Sequence, residues 1–78
     1  MQLHVNGQTT ELPDGATVSM LVTHHTGREL TPQGQAADGR PLALAVALDG
    51  EIVPRIRWAE HTLAQGARVE VVTAVHGG

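Results

Sequence analysis

The chain opens with the pattern of a β-hairpin, and this constrains its fold more than any other feature. In residues 1–5 every second side chain is apolar, which is the period of a half-buried strand. Asn6-Gly7 follows, and this dipeptide is typical of a type I′ turn, because both turn positions need a positive φ. We therefore predict that residues 8–12 return as the second strand and that Pro-Asp-Gly at 13–15 ends it.

Directly after the hairpin the apolar period changes from two to 3.6, which predicts a helix of roughly ten residues. Thr17 is the expected N-cap, and Gly27 stands where a glycine would end the helix. The residues at i, i+3, i+4 and i+7 of one helix face are Val18, Leu21, Val22 and His25. We interpret His24 and His25 as solvated or half-buried surface side chains.

The second half of the chain is predicted to add strands to the hairpin. Residues 42–48 alternate between large apolar side chains and alanine, so one face packs on the helix and the other is smooth and thinly covered. Asp49-Gly50 is a second hairpin signal. The short strand after it is interrupted by Pro54, which has no N–H to donate and so favours a sheet edge.

The remaining segments complete the predicted order of elements. Residues 27–41 show no sustained periodicity, and we interpret them as a mobile loop. Residues 57–63 are predicted to form a single helical turn that places Trp58, the one aromatic side chain, in the core, with His61 packed near it. Residues 68–75 are predicted to form the last strand.

A hairpin, a helix and then further strands make an α+β fold. This order is that of the ubiquitin-like β-grasp, a mixed sheet of four to five strands crossed by one helix, with the last strand at its centre. We predict a β-grasp domain over residues 1–74 and a flexible C-terminal diglycine tail over residues 75–78.

Composition excludes several classes of function. The chain has no cysteine, which excludes a thiolate nucleophile, a disulfide scaffold and a cysteine metal site. Its five basic residues are all arginine and are scattered along a chain of net charge −3, which argues against nucleic-acid binding. The histidines do not form a credible metal cluster. With neither a membrane-length apolar stretch nor a basic signal region, we expect a cytoplasmic protein that binds no membrane.

Gly77-Gly78 is the candidate site. Glycine lacks a Cβ, so a diglycine end is thin enough to thread a narrow channel and present its carboxylate to another protein. Gly78 is also achiral and cannot racemise when its carboxylate is activated.

One part of the sequence resembles a known family. The segment at 47–55, which ends in Val-Pro-Arg, is followed by Trp58, by Gly66 and by Val-His-Gly-Gly at 75–78. Together these resemble the sulfur carrier proteins of the thiamine pathway, the ThiS family. The chain departs from that pattern at Ala67, where the family often has aspartate, and in the length of the loop at 27–41.

The resemblance implies a carrier rather than an enzyme. A partner adenylyltransferase (ThiF-type) would use ATP and Mg to adenylate the Gly78 carboxylate, and a persulfide donor would convert it to a thiocarboxylate. A thiazole synthase (ThiG-type) would then take the sulfur. No cofactor is expected to bind the carrier stably. Arg55 is most simply a solvated charge, although a positive pair with Arg57 would steer docking. The candidate partner-binding residues are Val53, Pro54, Arg55, Val75, His76 and Gly77.

Two other interpretations remain open. The small subunit of molybdopterin synthase shares the fold and the tail, although the Val-Pro-Arg-x-x-Trp segment argues against it. A non-catalytic β-grasp binding module would make the diglycine incidental. An enzyme acting alone is disfavoured, because the sequence offers no nucleophile–base arrangement and no paired carboxylates.

Overall fold

The computed structural model describes residues 1–73, and this part of the chain contains five strands, one α-helix and one 3₁₀ turn. In chain order these elements are β1 (Gln2–Val5), β2 (Gln8–Glu11), α1 (Val18–Thr26), β3 (Leu44–Leu48), β4 (Glu51–Ile52), the 3₁₀ turn (Arg55–Arg57) and β5 (Arg68–Thr73).

The strands form one mixed sheet in the order β2-β1-β5-β3-β4. The last strand, β5, is central, since it runs parallel to β1 and antiparallel to β3. This confirms the predicted α+β class and the β-grasp topology. The predicted boundary between residues 74 and 75 lies outside the described residues.

Both predicted hairpin turns are present. Asn6 and Gly7 have φ values of 51° and 82°, and Asp49 and Gly50 have values of 49° and 88°. Positive φ at both central positions is the requirement of a type I′ turn, whose twist matches that of the flanking strands. The local sequence therefore sets the register of β1 with β2 and of β3 with β4.

Helix α1 begins and ends where predicted. The Thr17 hydroxyl accepts a 3.2 Å bond from the Met20 N–H, and Gly27, at φ 74°, donates its N–H to the Thr23 carbonyl at 2.8 Å. His25, at the i+7 position of the predicted helix face, is exposed, which confirms its interpretation as a surface side chain. The inner face is apolar only over the first turns, and an imidazole without a partner costs free energy when buried. The buried helix residues are Val18, Leu21 and Val22.

The core lies between α1 and the sheet and is built almost entirely from aliphatic side chains. Trp58 is 1% exposed, which confirms its predicted core position. Its indole Nε1 donates a 3.0 Å bond to the carbonyl of Val53. A buried Trp needs such an acceptor for its N–H, so the bond fixes the ring orientation.

The bounds of β3 and of the helical turn differ from the prediction. Strand β3 begins at Leu44 rather than at residue 42, and the helical turn lies at 55–57 rather than at 57–63. The turn starts early because Pro54, with φ −56°, already directs the chain out of β4. Strand β5 is described as far as Thr73, so its predicted extension to residue 75 lies outside the described residues.

The loop at 27–41 has no helix or strand, as predicted, but it is held by specific contacts, and its mobility stays a prediction. The Leu30–Ala36 bridge folds it back on itself, and Ala36 is 5% exposed in the core. Arg28 ties its two ends together, because its guanidinium donates to the Asp38 carboxylate at 3.1 Å and to the Pro41 carbonyl at 3.0 Å.

Candidate functional site

The predicted site at Gly77 and Gly78, with Val75 and His76 before it, lies outside the described residues. The structure therefore describes the part of the molecule that leads to the site, which is the end of β5 and the surfaces beside it.

Strand β5 is held from both sides near its end. On one side it pairs with β3, with Val72 opposite Ala45 and Thr73 opposite Leu44. On the other side the Asn6 side chain bonds the main chain of Val71: its Oδ1 accepts from the N–H at 2.8 Å and its Nδ2 donates to the carbonyl at 3.2 Å.

The sheet face that α1 does not cover carries an apolar strip that begins beside this end of β5. Val72 is 59% exposed and lies directly opposite the exposed Ala45. One strand further on, Ile52 is 68% exposed and lies opposite Ala47. Residues directly opposite each other in an antiparallel pair point to the same face, so the four side chains form one strip across β5, β3 and β4. The exposed Glu70, which lies opposite Ala47 on β5, borders this strip. Exposed apolar patches of this kind mark interaction sites.

The sequence analysis anticipated the alanine face but not the two large members of the strip. Burial of Val69 and Val71 leaves Val72 on the opposite face, because side chains alternate along a strand. Alternation in Arg-Val-Glu-Val-Val-Thr was therefore a signal that would have found Val72. The position of Ile52 follows only from the pairing of β4 with β3.

Val53 and Pro54, both predicted to bind a partner, follow β4 at the edge of the sheet. Val53 is 6% exposed and belongs to the core, whereas Pro54 is exposed. Both line a surface groove of about 560 Å³ together with Ile52 and His61. Whether they contact a partner stays a prediction.

The interpretation of Arg55 as a solvated charge was wrong. Its guanidinium donates three hydrogen bonds to main-chain carbonyls, to Gly34 at 3.1 Å and to Leu42 and Leu44 at 2.7 Å each. The Leu44 carbonyl is open to Arg55 because β4 is short and leaves this edge of β3 without a partner strand at Leu44. Arg57, in contrast, is exposed and forms only a 3.5 Å surface ion pair with Glu60.

In the described part of the chain, the remaining titratable groups give no sign of acid–base work. His61 is exposed, whereas packing near Trp58 was predicted. Its main chain has a structural role, because its carbonyl accepts from the Val18 N–H at 3.0 Å and its N–H donates to the Arg57 carbonyl at 3.0 Å. The Arg40 main-chain N–H and the Arg28 guanidinium lower the pKa of the Asp38 carboxyl. Within residues 1–73, no three histidine, aspartate or glutamate side chains are grouped to hold a metal ion.

Helix α1 has nine residues, and the described chain contains no helix of the length and apolarity that crossing a membrane requires.

Comparison with known proteins bears on the family. The model described as ThiS family matches residues 3–78, nearly the whole chain. This chain belongs to the ThiS family. The sulfur carrier protein ThiS of Escherichia coli (strain K12) is 28% identical over 78 residues, which cover 100% of both chains.

Solved structures of the family agree on the fold. The crystal structure of the thiamine biosynthesis protein ThiS from Geobacter metallireducens matches with a TM-score of 0.70 and 24% identity over 100% of both chains. An NMR solution structure of a thiamine biosynthesis protein from the same organism matches with a TM-score of 0.68 and 24% identity. That match covers 100% of this chain and 88% of the other.

Proposed function

We propose that this ThiS-family chain is a sulfur carrier for thiamine biosynthesis and that Gly78 carries the sulfur. The family match supports this, because it extends through Gly77 and Gly78. The observation in the structure that supports it most strongly is the apolar strip across Val72, Ala45, Ala47 and Ile52, which begins beside the end of β5. A protein acted on by others needs such a docking surface close to its reacting group.

The chemistry proposed for Gly78 begins with an ionised carboxylate, which is a poor electrophile. A partner adenylyltransferase activates it with Mg-ATP, releasing pyrophosphate and leaving an acyl adenylate. The terminal sulfur of a persulfide then attacks the carbonyl carbon, and AMP leaves with the bonding electron pair. A thiol of the partner cleaves the sulfur–sulfur bond, which yields the thiocarboxylate and a disulfide. A thiazole synthase receives the sulfur.

The role proposed for this chain is to dock with a partner enzyme and to deliver Gly78 to it. The strip contributes apolar area, and its small alanines allow a partner surface to approach the sheet closely. Apolar contact at the strip holds the partner while Gly78, five residues after Thr73 in the sequence, reacts in its active site. Catalytic groups come from the partners, so no bound metal or cofactor is assigned to the carrier.

Genetic complementation tests the pathway. Expression of this chain is expected to restore growth of a thiamine auxotroph that lacks its own sulfur carrier. A molybdenum-cofactor mutant that lacks the small subunit of molybdopterin synthase is not expected to be rescued. Rescue of the second strain alone would contradict the thiamine assignment and favour the alternative carrier.

Addition of one alanine after Gly78 tests the need for a free glycine carboxylate. The lengthened chain is expected to fold normally and to lose complementation, because its carboxylate belongs to a different residue. Full rescue by the lengthened chain would favour a β-grasp binding module whose diglycine is incidental.

A further inference from the structure

The described end of β5 continues beyond the last residue of β1, the strand that pairs with it on one side. Strand β1 pairs with β5 at His4–Arg68 and Val5–Val69, and its last main-chain bond to β5 is from the Asn6 N–H to the Val69 carbonyl at 2.9 Å. The chain then turns away through Asn6-Gly7 into β2. Within residues 1–73, β1 therefore supplies no main-chain partner for Val71.

The Asn6 side chain takes the place of the missing strand. A carboxamide carries one acceptor and two donors, so it reproduces the acceptor–donor pair that a peptide group presents along a strand. Its two bonds to Val71, at 2.8 and 3.2 Å, extend the β1–β5 ladder by one pair. Asn6 is thus both a turn residue, at φ 51°, and a support for a strand 65 positions away.

We propose that Asn6 is a positioning residue for the sulfur-carrier reaction. By fixing the main chain at Val71 it fixes the point and the direction from which residues 74–78 extend to the partner. Restricting the conformations of a reacting segment raises the fraction that reaches productive geometry after docking. This role rests on the proposed function, since it requires that a partner act on Gly78.

The second type I′ turn provides a matched control. Asp49 occupies the same turn position at φ 49°, and its Oδ1 accepts a 3.0 Å bond from the Arg68 N–H. It therefore supports β5 in the same manner, but at the start of the strand rather than at its end. If both side chains only stabilise the fold, their removal should change the rate of adenylation to a similar extent. A positioning role predicts a larger change for Asn6 than for Asp49.

The substitutions are chosen to leave the turns intact. Asn6→Gly and Asp49→Gly keep the positive φ without strain, because glycine adopts it freely, and each removes only the side-chain bonds. Asn6→Asp keeps an acceptor for the Val71 N–H but cannot donate to its carbonyl. Amide hydrogen exchange at Val71 is expected to quicken in Asn6→Gly and to remain unchanged in Asp49→Gly.

The deciding measurement is steady-state adenylation of each variant by the partner adenylyltransferase, with the carrier as the varied substrate. We expect kcat to fall roughly tenfold in Asn6→Gly, less in Asn6→Asp and hardly at all in Asp49→Gly. The effect is on kcat because the support that the Asn6 side chain gives to Val71 acts after docking. The KM is expected to stay near that of the wild type in all three, since the apolar strip is unchanged.

The outcomes separate this role from the proposed function. An active wild-type chain with equal kcat values for Asn6→Gly and Asp49→Gly would overturn the positioning role alone. The same holds if Val71 exchange is unaffected by Asn6→Gly. A wild-type chain that an active partner does not adenylate would overturn the proposed function, and the role of Asn6 with it.

Discussion

The guanidinium of Arg55 lies over the ring of Trp58, with its central carbon 4.7 Å from the ring centroid. The contact combines a cation–π interaction with three hydrogen bonds to main-chain carbonyls. These carbonyls belong to Gly34, in the long loop, and to Leu42 and Leu44, where β3 begins. One side chain therefore joins the core tryptophan, the loop and a sheet edge.

Replacement of Arg55 is expected to destabilise the fold. Arg55→Met keeps much of the stacking volume but removes the Arg55 donor from three carbonyls, of which Leu42 keeps a second donor in the Leu44 N–H at 3.1 Å. Hydrogen bonds to charged groups contribute about 1.5–3 kcal/mol each, and partial solvent access reduces this, so we expect a loss of about 2–3 kcal/mol in the free energy of unfolding. Urea denaturation followed by circular dichroism measures it.

Arg57→Met is the matched control for that experiment. Arg57 is exposed and makes only a surface ion pair with Glu60, which contributes about 0–1 kcal/mol. Equal losses for the two variants would show that the internal bonds of Arg55 add nothing to stability.

Gly34 is expected to tolerate no side chain. Its φ is 83°, and a Cβ there would lie 2.5 Å from Arg55 Cγ and 2.6 Å from the Arg55 carbonyl oxygen. Gly39 has a similar φ of 79° with nothing within 4 Å of a Cβ. Both alanine variants incur the left-handed penalty of about 1–2 kcal/mol, and Gly34→Ala adds the clash. Thermal unfolding should therefore rank Gly34→Ala clearly below Gly39→Ala, and equal midpoints would contradict the close contact.

Acid is expected to loosen the Arg28–Asp38 contact. The Arg40 N–H bond, together with the bond and charge of Arg28, holds the pKa of Asp38 below its ordinary value of 3.8. A carboxyl whose pKa is lowered by folding stabilises the fold above the unfolded pKa and loses that contribution as the pH falls through the lowered value. An NMR titration of Asp38 checks the direction. Arg28→Gln should move the pKa upward, and no movement would contradict the contribution of Arg28.

Charges placed on the apolar strip are expected to weaken docking without unfolding the chain. Val72→Glu and Ile52→Glu each put a carboxylate on an exposed apolar site, and burial of an unpaired charge at an interface is costly. Calorimetry with the adenylyltransferase should show Kd raised tenfold or more, about 1.4 kcal/mol or above.

Met20→Glu is the control for the docking experiment. Met20 is 46% exposed on α1, which lies on the opposite side of the sheet from the strip. Its affinity for the partner should match that of the wild type. If Met20→Glu weakens binding as much as Val72→Glu, the strip is not the docking surface.

The structure was predictable from the sequence where it depends on residues that are adjacent along the chain. Asn-Gly and Asp-Gly favour positive φ whatever surrounds them, so both hairpins and hence two of the four strand pairings were predictable from local sequence. The cap at Thr17 and the helix end at Gly27 were predictable for the same reason.

Contacts between distant residues were not predictable in this way. Arg55 bonds carbonyls 11 to 21 positions away, and the carbonyl of Leu44 is open to it because β4 is two residues long and pairs only with the end of β3. The contact of Asn6 with Val71 spans 65 positions and depends on where β1 ends beside β5. The loop at 27–41 is held by such contacts rather than by a period of its own, which is why its pattern suggested mobility.

The central claim is that Gly78 carries sulfur, and intact-mass spectrometry tests it most directly. The chain is incubated with its adenylyltransferase, Mg-ATP and a persulfide donor, all shown to be active on another carrier. We predict a mass increase equal to one exchange of oxygen for sulfur, located by fragmentation at Gly78 and absent from a chain that lacks this residue. An unchanged mass, or an exchange located elsewhere in the chain, would contradict the account.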